Sequence, residues 1–308
     1  ARRLANQKYN IYITGSNAKM LSREIATTLG GRFWNKDIYP YSFAEYLNAR
    51  NIILSKNWMY GKQAAEVSKA FNDYFLYGGF PELTDVIAKR VWLNDIYSKI
   101  FFSDLIVRNK VRNEEALGLL VRRLAENVKQ PVSYTRLANL ISSIGIKISK
   151  ATVIEFIRYL KESCLIFPIE NYSAKFAERN SNMKHYFIDN GLLSIFLLDG
   201  NTSLLENIVA IHLYKRYGAQ LYFYNQNIEV DFIIPEAKTA IQVSYSLMDE
   251  TTCRREVEGL IKLNRVFPMD NMCIITRDEE RIITHESGVS IHVIPVWKWL
   301  LEEEPLQT

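Results

Sequence analysis

Glu229-Val-Asp231-Phe-Ile-Ile234, followed by Ala240-Ile-Gln242-Val-Ser244-Tyr-Ser246, decides how the last third of this chain is read. Each run is short, apolar and β-branched, and the turn between them carries Pro235 and Glu236. That is the composition of two strands joined by a connection. Asp231 closes the polar face of the first strand, and a Gln-x-Ser triplet occupies the second. Working outward, the patterning predicts a helix over Ser203–Tyr217 and strands over Gln220–Tyr224, Ile228–Ile234 and Ala240–Tyr245. A helix over Thr252–Phe267 and strands at Met272–Thr276 and Ser290–Pro295 follow. Glu206 lies on a mostly apolar helix face with Leu204, Leu205, Ile208 and Val209, which brings it near the sheet.

Upstream, residues 112–190 read as a second unit. A helix spans Glu114–Asn127, and Ser133 caps a short helix that leads to a Gly145 turn. A third helix runs from Ser149 to about Cys164 with Val153, Ile157, Leu160 and Cys164 on one face. Two amphipathic helices across a glycine turn, then β-like segments at Leu165–Asn171 and His185–Ile188, spell a winged helix-turn-helix. Lys147, Lys150, Thr152 and Arg158 are its candidate DNA-contacting residues, because phosphate contacts need little beyond positive charge and polar donors. The alternative is that these charges are only solvated while the unit packs on its neighbours.

Residues 30–110 are mostly helical. Ser42 with Glu45 makes a capping box, Gly78 and Gly79 end the next helix, and a further helix covers Lys89–Val107 with Asp104 and Arg108 paired four apart. At the front, Tyr9-Asn-Ile-Tyr-Ile-Thr14-Gly-Ser16-Asn17 is an apolar strand running into a turn before a helix over Ala18–Leu29. A buried parallel strand needs neighbours, so the reading is that the sequence starts inside a domain whose first half it does not contain.

The 308 residues carry a net charge of +4 with 48% hydrophobic residues, an ordinary globular composition. No apolar run reaches membrane-spanning length, and Cys164, Cys253 and Cys273 have no CxxC spacing. Reduced core thiols in a cytoplasmic protein without a membrane partner are the expectation. No GxxxxGK[ST] phosphate loop occurs. The four histidines show no HExxH pattern, and no serine sits in GxSxG, so neither a zinc protease nor a serine hydrolase is supported.

Ile13-Thr-Gly-Ser-Asn17 through Ala26, Gly31-Arg32, Tyr39-Pro-Tyr-Ser-Phe-Ala-Glu45, Phe75-Leu-Tyr-Gly-Gly-Phe-Pro-Glu82, Tyr186-Phe-Ile-Asp189-Asn-Gly191-Leu, Leu205-Glu206-Asn207 and Glu229-Val-Asp231-Phe occur in this order. Together they resemble bacterial and archaeal AAA+-type P-loop ATPases that end in a domain of unknown function. The resemblance covers essentially the whole chain and implies ATP and Mg²⁺ as cofactors of the complete protein. It places Thr14, Ser16 and Asn17 beside the γ-phosphate as a sensor and Arg32 as a finger acting in trans on a neighbouring copy in a homo-oligomer. A Gly-Ser-Asn cap and a solvated turn arginine account for the same residues without nucleotide.

The strand pair also resembles the catalytic hairpin of restriction-endonuclease-type nucleases. There an Asp on one strand and Glu-x-Lys or Gln-x-Lys on the next hold Mg²⁺ and activate water. That resemblance makes Glu206, Asp231, Gln242 and Ser244 the catalytic candidates and Asp231 the metal ligand. It departs at Ser244, which stands where the lysine belongs, with Arg254 or Arg255 as candidate substitutes for the missing charge. The expected fold is therefore α/β and α+β multidomain. It comprises an AAA+ ATPase remnant with a helical lid (1–110), a winged helix (111–199) and a restriction-endonuclease-like αβββαβ domain (200–308). The expected function is the C-terminal part of an ATPase that couples hydrolysis to double-stranded DNA or a partner through a degenerate nuclease-like site. An active Mg²⁺-dependent nuclease and a purely protein-binding regulatory module are the alternatives.

Overall fold

The computed structural model describes residues 12, 34, 36–175, 179 and 181–302. Within them lie ten α-helices and one mixed nine-stranded sheet. Helix α1 (Phe43–Ala49) starts at the expected capping box: the Ser42 hydroxyl accepts from Glu45 N–H, and the Glu45 carboxylate accepts from Ser42 N–H. Helix α2 (Lys62–Tyr77) stops at Gly78, whose φ of +78° is open to glycine at little strain. Helix α3 (Lys89–Lys99) continues into a π-helical stretch, Ile100–Val107, rather than the single α-helix that its spacing predicts. Asn109 donates back to the carbonyls of Asp104 and Leu105 at its end, and the Asp104–Arg108 pair is present at 3.0 Å.

Next come α4 (Glu114–Glu126), β1 (Val132–Ser133), α5 (Tyr134–Ser142), α6 (Lys150–Glu162), β2 (Ile166–Asn171) and β3 (Asn182–Phe187). Ser133 and Ser149 cap α5 and α6 through their hydroxyls, as expected. Cys164 departs from its expected place on the α6 core face. It lies past the helix end at φ +56° and is exposed, while Val153, Ile157 and Leu160 are buried. All three cysteines are free.

The remainder is α7 (Asn190–Ser194), α8 (Asn201–Tyr217), β4 (Tyr222–Asn225), β5 (Glu229–Ile234), β6 (Thr239–Val243), α9 (Glu250–Val266), β7 (Asn271–Thr276), β8 (Arg281–Thr284), β9 (Ser290–Pro295) and α10 (Val296–Glu302). The short hairpin strand β8 and the final helix α10 are additions to the sequence-based expectation. The sheet order is β1-β3-β2-β4-β5-β6-β7-β9-β8. β4, β5 and β6 form an antiparallel meander, and β7 returns parallel to β6 after α9.

Two features tie the expected units together. β2 pairs parallel with β4 through Glu170↔Tyr222 and Asn171↔Phe223, so the sheet runs straight through the expected boundary at residue 199. Helix α2 is bound to the start of α7 by a buried polar junction. Asp189 accepts from the N–H groups of Gly79 and Gly191 at 2.7 and 2.8 Å, and Asn190 donates to the carbonyls of Phe75 and Leu204. Asn207 on α8 closes the junction by bonding both Asn190 and the backbone of Phe187. A side chain at Gly78 would place its Cβ 2.0 Å from Asp189 Oδ1, and one at Gly79 would meet the Tyr41 carbonyl at 2.2 Å.

The apolar core has two layers. One cluster joins α8 and the preceding helices to Phe232, Ile234 and Ile241; the other packs Val257, Leu260 and Ile261 of α9 against Ile233, Ala240 and Ile274. The β5–β6 hairpin is thereby sandwiched between α8 and α9, and its polar residues gather at the end where the two strands part.

Candidate functional site

Pairing between β5 and β6 ends at Phe232↔Ile241, and side chains take over beyond it. The Gln242 carboxamide bridges the gap: its Oε1 accepts from Asp231 N–H at 3.0 Å and its Nε2 donates to the Glu229 carbonyl at 3.0 Å. Asp231 Oδ2 in turn accepts from Val243 N–H at 3.0 Å. Gly259 of α9 lies against this bridge, where an added Cβ would stand 2.9 Å from Gln242 Nε2. Gln242 is thus committed to the backbone of the neighbouring strand, with its oxygen already in use.

The cation of the site comes from an unexpected strand. Lys184 of β3 is fully buried, and its Nζ donates to Asp231 Oδ1 at 3.1 Å and Glu206 Oε1 at 3.2 Å. Glu229 Oε1 stands 3.6 Å away on the solvent side. Tyr186, two residues along the same strand, donates its hydroxyl to Glu206 Oε1 at 2.7 Å. In a flat sheet, β3 and β5 are three spacings of about 4.8 Å apart, ~14 Å in all, beyond the reach of a lysine. The departure from a flat sheet brings Lys184 Nζ over the Phe223 ring of β4, 5.6 Å from its centre, on the way to Asp231.

Burial pushes Lys184 toward neutrality, but Glu206, Asp231 and Glu229 outweigh it and hold the ammonium above the ordinary lysine range. Glu206 moves up to about 7, because its burial exceeds the opposing pull of Lys184 and the Tyr186 hydrogen bond, with Asp231 adding repulsion. The result is a compact ion cluster whose central atom is an ammonium nitrogen.

Of the expected catalytic set, Glu206 and Asp231 converge on Lys184, and Gln242 touches Asp231 through its backbone. Ser244 does not join them; its hydroxyl donates to the Ser246 carbonyl. Neither arginine offered as a substitute forms an ion pair with Glu206 or Asp231: Arg254 pairs with Glu250, and Arg255 pairs with Glu256 at 2.6 Å. No group of three or more His, Cys, Asp or Glu suited to a metal ion occurs among the described residues, where the acidic atoms instead share Lys184. Lys184 and Tyr186 carry a sequence signal, since a lysine inside Met183-Lys-His-Tyr-Phe-Ile188 cannot be buried without a partner carboxylate.

On the helical unit, Lys147 and Lys150 are exposed, while Thr152 shares the Ser149 cap. Arg158 lies between Glu155 and Glu162 at 3.8 and 3.6 Å and stacks over Tyr159. The nucleotide-sensing candidates Thr14, Ser16, Asn17 and Arg32 lie outside the described residues. Among the described residues, no helix is long and apolar enough to cross a membrane.

Comparisons with known proteins agree with the front of the chain being AAA-like. A family described as an AAA domain matches residues 1–47, and a domain of unknown function, DUF8612, matches residues 68–203. An uncharacterized protein of Methanocaldococcus jannaschii is 34% identical over 97% of this chain and 70% of its own length. An uncharacterized protein of Haemophilus influenzae is 32% identical over 95% of this chain and 71% of its own length. No solved structure matches the chain at a significant level. At that identity and coverage, the chain belongs to the same family as these two uncharacterized proteins, AAA-like at its front and continuing into a domain of unknown function.

Proposed function

We propose that the described residues form the non-hydrolytic effector part of an ATPase-related protein, which holds duplex DNA through a winged helix beside a closed nuclease-like centre. The order α4-β1-α5-α6-β2-β3 is that of a winged helix-turn-helix, and α8-β4-β5-β6-α9-β7 follows the αβββαβ order of restriction endonucleases. ATP and Mg²⁺ belong to the AAA-like part in this reading, and nucleotide turnover in the complete protein repositions the winged helix on its target.

The closed state of the centre rests on one observation, the position of Lys184 Nζ, bonded to both buried carboxylates. A phosphodiesterase of this kind needs Mg²⁺ that keeps several waters and can meet a phosphoryl oxygen. Here the ammonium is shared by the carboxylates of Glu206 and Asp231, Glu206 and Gln242 are buried, and only Glu229 on the rim is substantially exposed. The cluster fits an internal counter-ion that fastens β3, α8 and β5 to one another.

A second reading has one observation in its favour. Lys184 supplies, from β3, the lysine missing at Ser244, which is what an active nuclease with a relocated lysine requires. Against it stands the complete burial of that lysine, which leaves it no contact with a phosphate. Titrating labelled duplex and single-stranded DNA with Mg²⁺ and Mn²⁺ separates the readings, scoring retention and cleavage together. Salt-sensitive retention without cleavage is expected. Cleavage abolished by Asp231→Ala establishes the nuclease instead, and neither retention nor cleavage moves the function to a protein-binding module.

A further inference from the structure

From Glu126 to Glu155 the chain contains no acidic residue between those two glutamates, yet it carries Lys129, Arg136, Lys147 and Lys150. This stretch comprises β1, α5, the Gly145 turn and the first turn of α6. Helix α5 packs inward through Leu137, Ala138 and Ile141. Its outer side forms an open concavity of about 400 Å³ lined by Thr135, Arg136, Asn139 and Ser143 with Ser133 and Leu140. Arg136, Lys147 and Lys150 are exposed and form no ion pair among the described residues. The exposed face of α6 differs: Arg158 is flanked by Glu155 and Glu162, whose two charges outweigh its one.

We infer that duplex DNA docks its phosphate backbone on α5 and the turn after it, through Arg136, Asn139, Ser143, Lys147 and Lys150. The exposed middle of α6 is not the principal contact. The inference rests on the winged-helix reading above and deepens it by naming the face. Unpaired cations set among Ser, Thr and Asn donors, with no acid between them, match a polyanion whose contacts are mostly to phosphate oxygens. The Glu155–Arg158–Glu162 row carries one cation against two carboxylates, so it offers that polyanion no net attraction and its carboxylates repel phosphate at contact distance.

The test measures binding of a labelled 20-base-pair duplex by the whole chain over a salt series, for wild type, Arg136→Ala, Lys150→Ala, the double variant and Arg158→Ala. Each α5–turn substitution should weaken binding about three- to tenfold near 0.1 M salt and flatten the log–log salt slope by about 0.9, the double variant by ~1.8. Arg158→Ala should leave affinity within about twofold, because its charge is already offset. All of these positions are exposed, so the unfolding midpoints should match the wild type and confirm that a loss is not misfolding. Wild-type binding insensitive to Arg136→Ala and Lys150→Ala, or weakened most by Arg158→Ala, overturns this face while leaving the DNA reading intact. No duplex binding by the wild type overturns the DNA reading itself. Tighter retention of single strands than of duplex overturns the commitment to duplex.

Discussion

Replacing Lys184 with methionine keeps the length of the side chain and removes its charge. Three carboxylates then face one another with no ammonium between them. Lys184 is 0% exposed, Glu206 5% and Asp231 13%, so water screens the two close partners little. Glu229 at 43% is screened and contributes little. Removing one member of a buried pair costs about 3–5 kcal/mol, chiefly because the other charge is left unsatisfied. For a chain of this size that is a fall in unfolding midpoint of about 6–10 °C, taking roughly 2 °C per kcal/mol. The loss should also depend on pH in a defined direction. Without Lys184 the Glu206 carboxyl, already at about 7 in the wild type, rises further. The folded variant then binds more protons than its unfolded chain, so its stability falls as pH rises. The deficit relative to wild type is therefore larger at pH 8 than at pH 5. Differential scanning calorimetry at the two pH values reads both quantities. A fall of less than about 2 °C, or a deficit independent of pH, refutes the claim that Lys184 is the counter-ion of buried carboxylates.

Other consequences follow from the same geometry. Gly78→Ala should destabilise by at least about 1–3 kcal/mol from its left-handed φ alone, and by more because the new Cβ overlaps Asp189; chemical denaturation measures it. Burial lowers His212 to about 3, with Lys215 and Arg216 adding to the effect, and its ring packs on Trp299 at 4.7 Å. An imidazole held neutral when folded binds fewer protons than in the unfolded chain, so stability drains as pH falls below about 6.5. His212→Phe should lose about 2–3 kcal/mol less than wild type between pH 7 and pH 4.5 in urea titrations. Gln242→Ala should loosen the β5–β6 end, because it frees Asp231 N–H and the Glu229 carbonyl; faster amide exchange at Asp231 with little change at Ile233 is the expected readout.

Most of the fold was legible because its signals are local. The Ser42, Ser133 and Ser149 caps, the Gly78 stop and the period-two runs of β5 and β6 each act within a few residues, and each fell where the pattern placed it. The π-helical stretch at Ile100–Val107 and the edge strand β8 left no such mark, since both depend on what they pack against. The site was half legible. Glu206 and Asp231 came from the resemblance to the nuclease hairpin, with periodicity placing them near the sheet, but Lys184 lies 47 positions before Asp231 and meets it only in the folded sheet. Arg254 and Arg255, the nearest cations downstream of Ser244, satisfy neighbouring glutamates instead. A lysine within an apolar strand was the available clue, because such a residue demands a buried acid somewhere in the fold.

Whether an ammonium holds the place that a nuclease gives to its metal decides between an internal counter-ion and a catalytic centre. Titration of the nucleotide-free chain with Mn²⁺, followed by the paramagnetic resonance signal of the free ion, addresses that place directly. The prediction is a signal that grows in proportion to added Mn²⁺ with no stoichiometric uptake, identical for wild type and Asp231→Ala. Uptake of one Mn²⁺ per chain, lost in Asp231→Ala, would contradict it and make the centre a metal site.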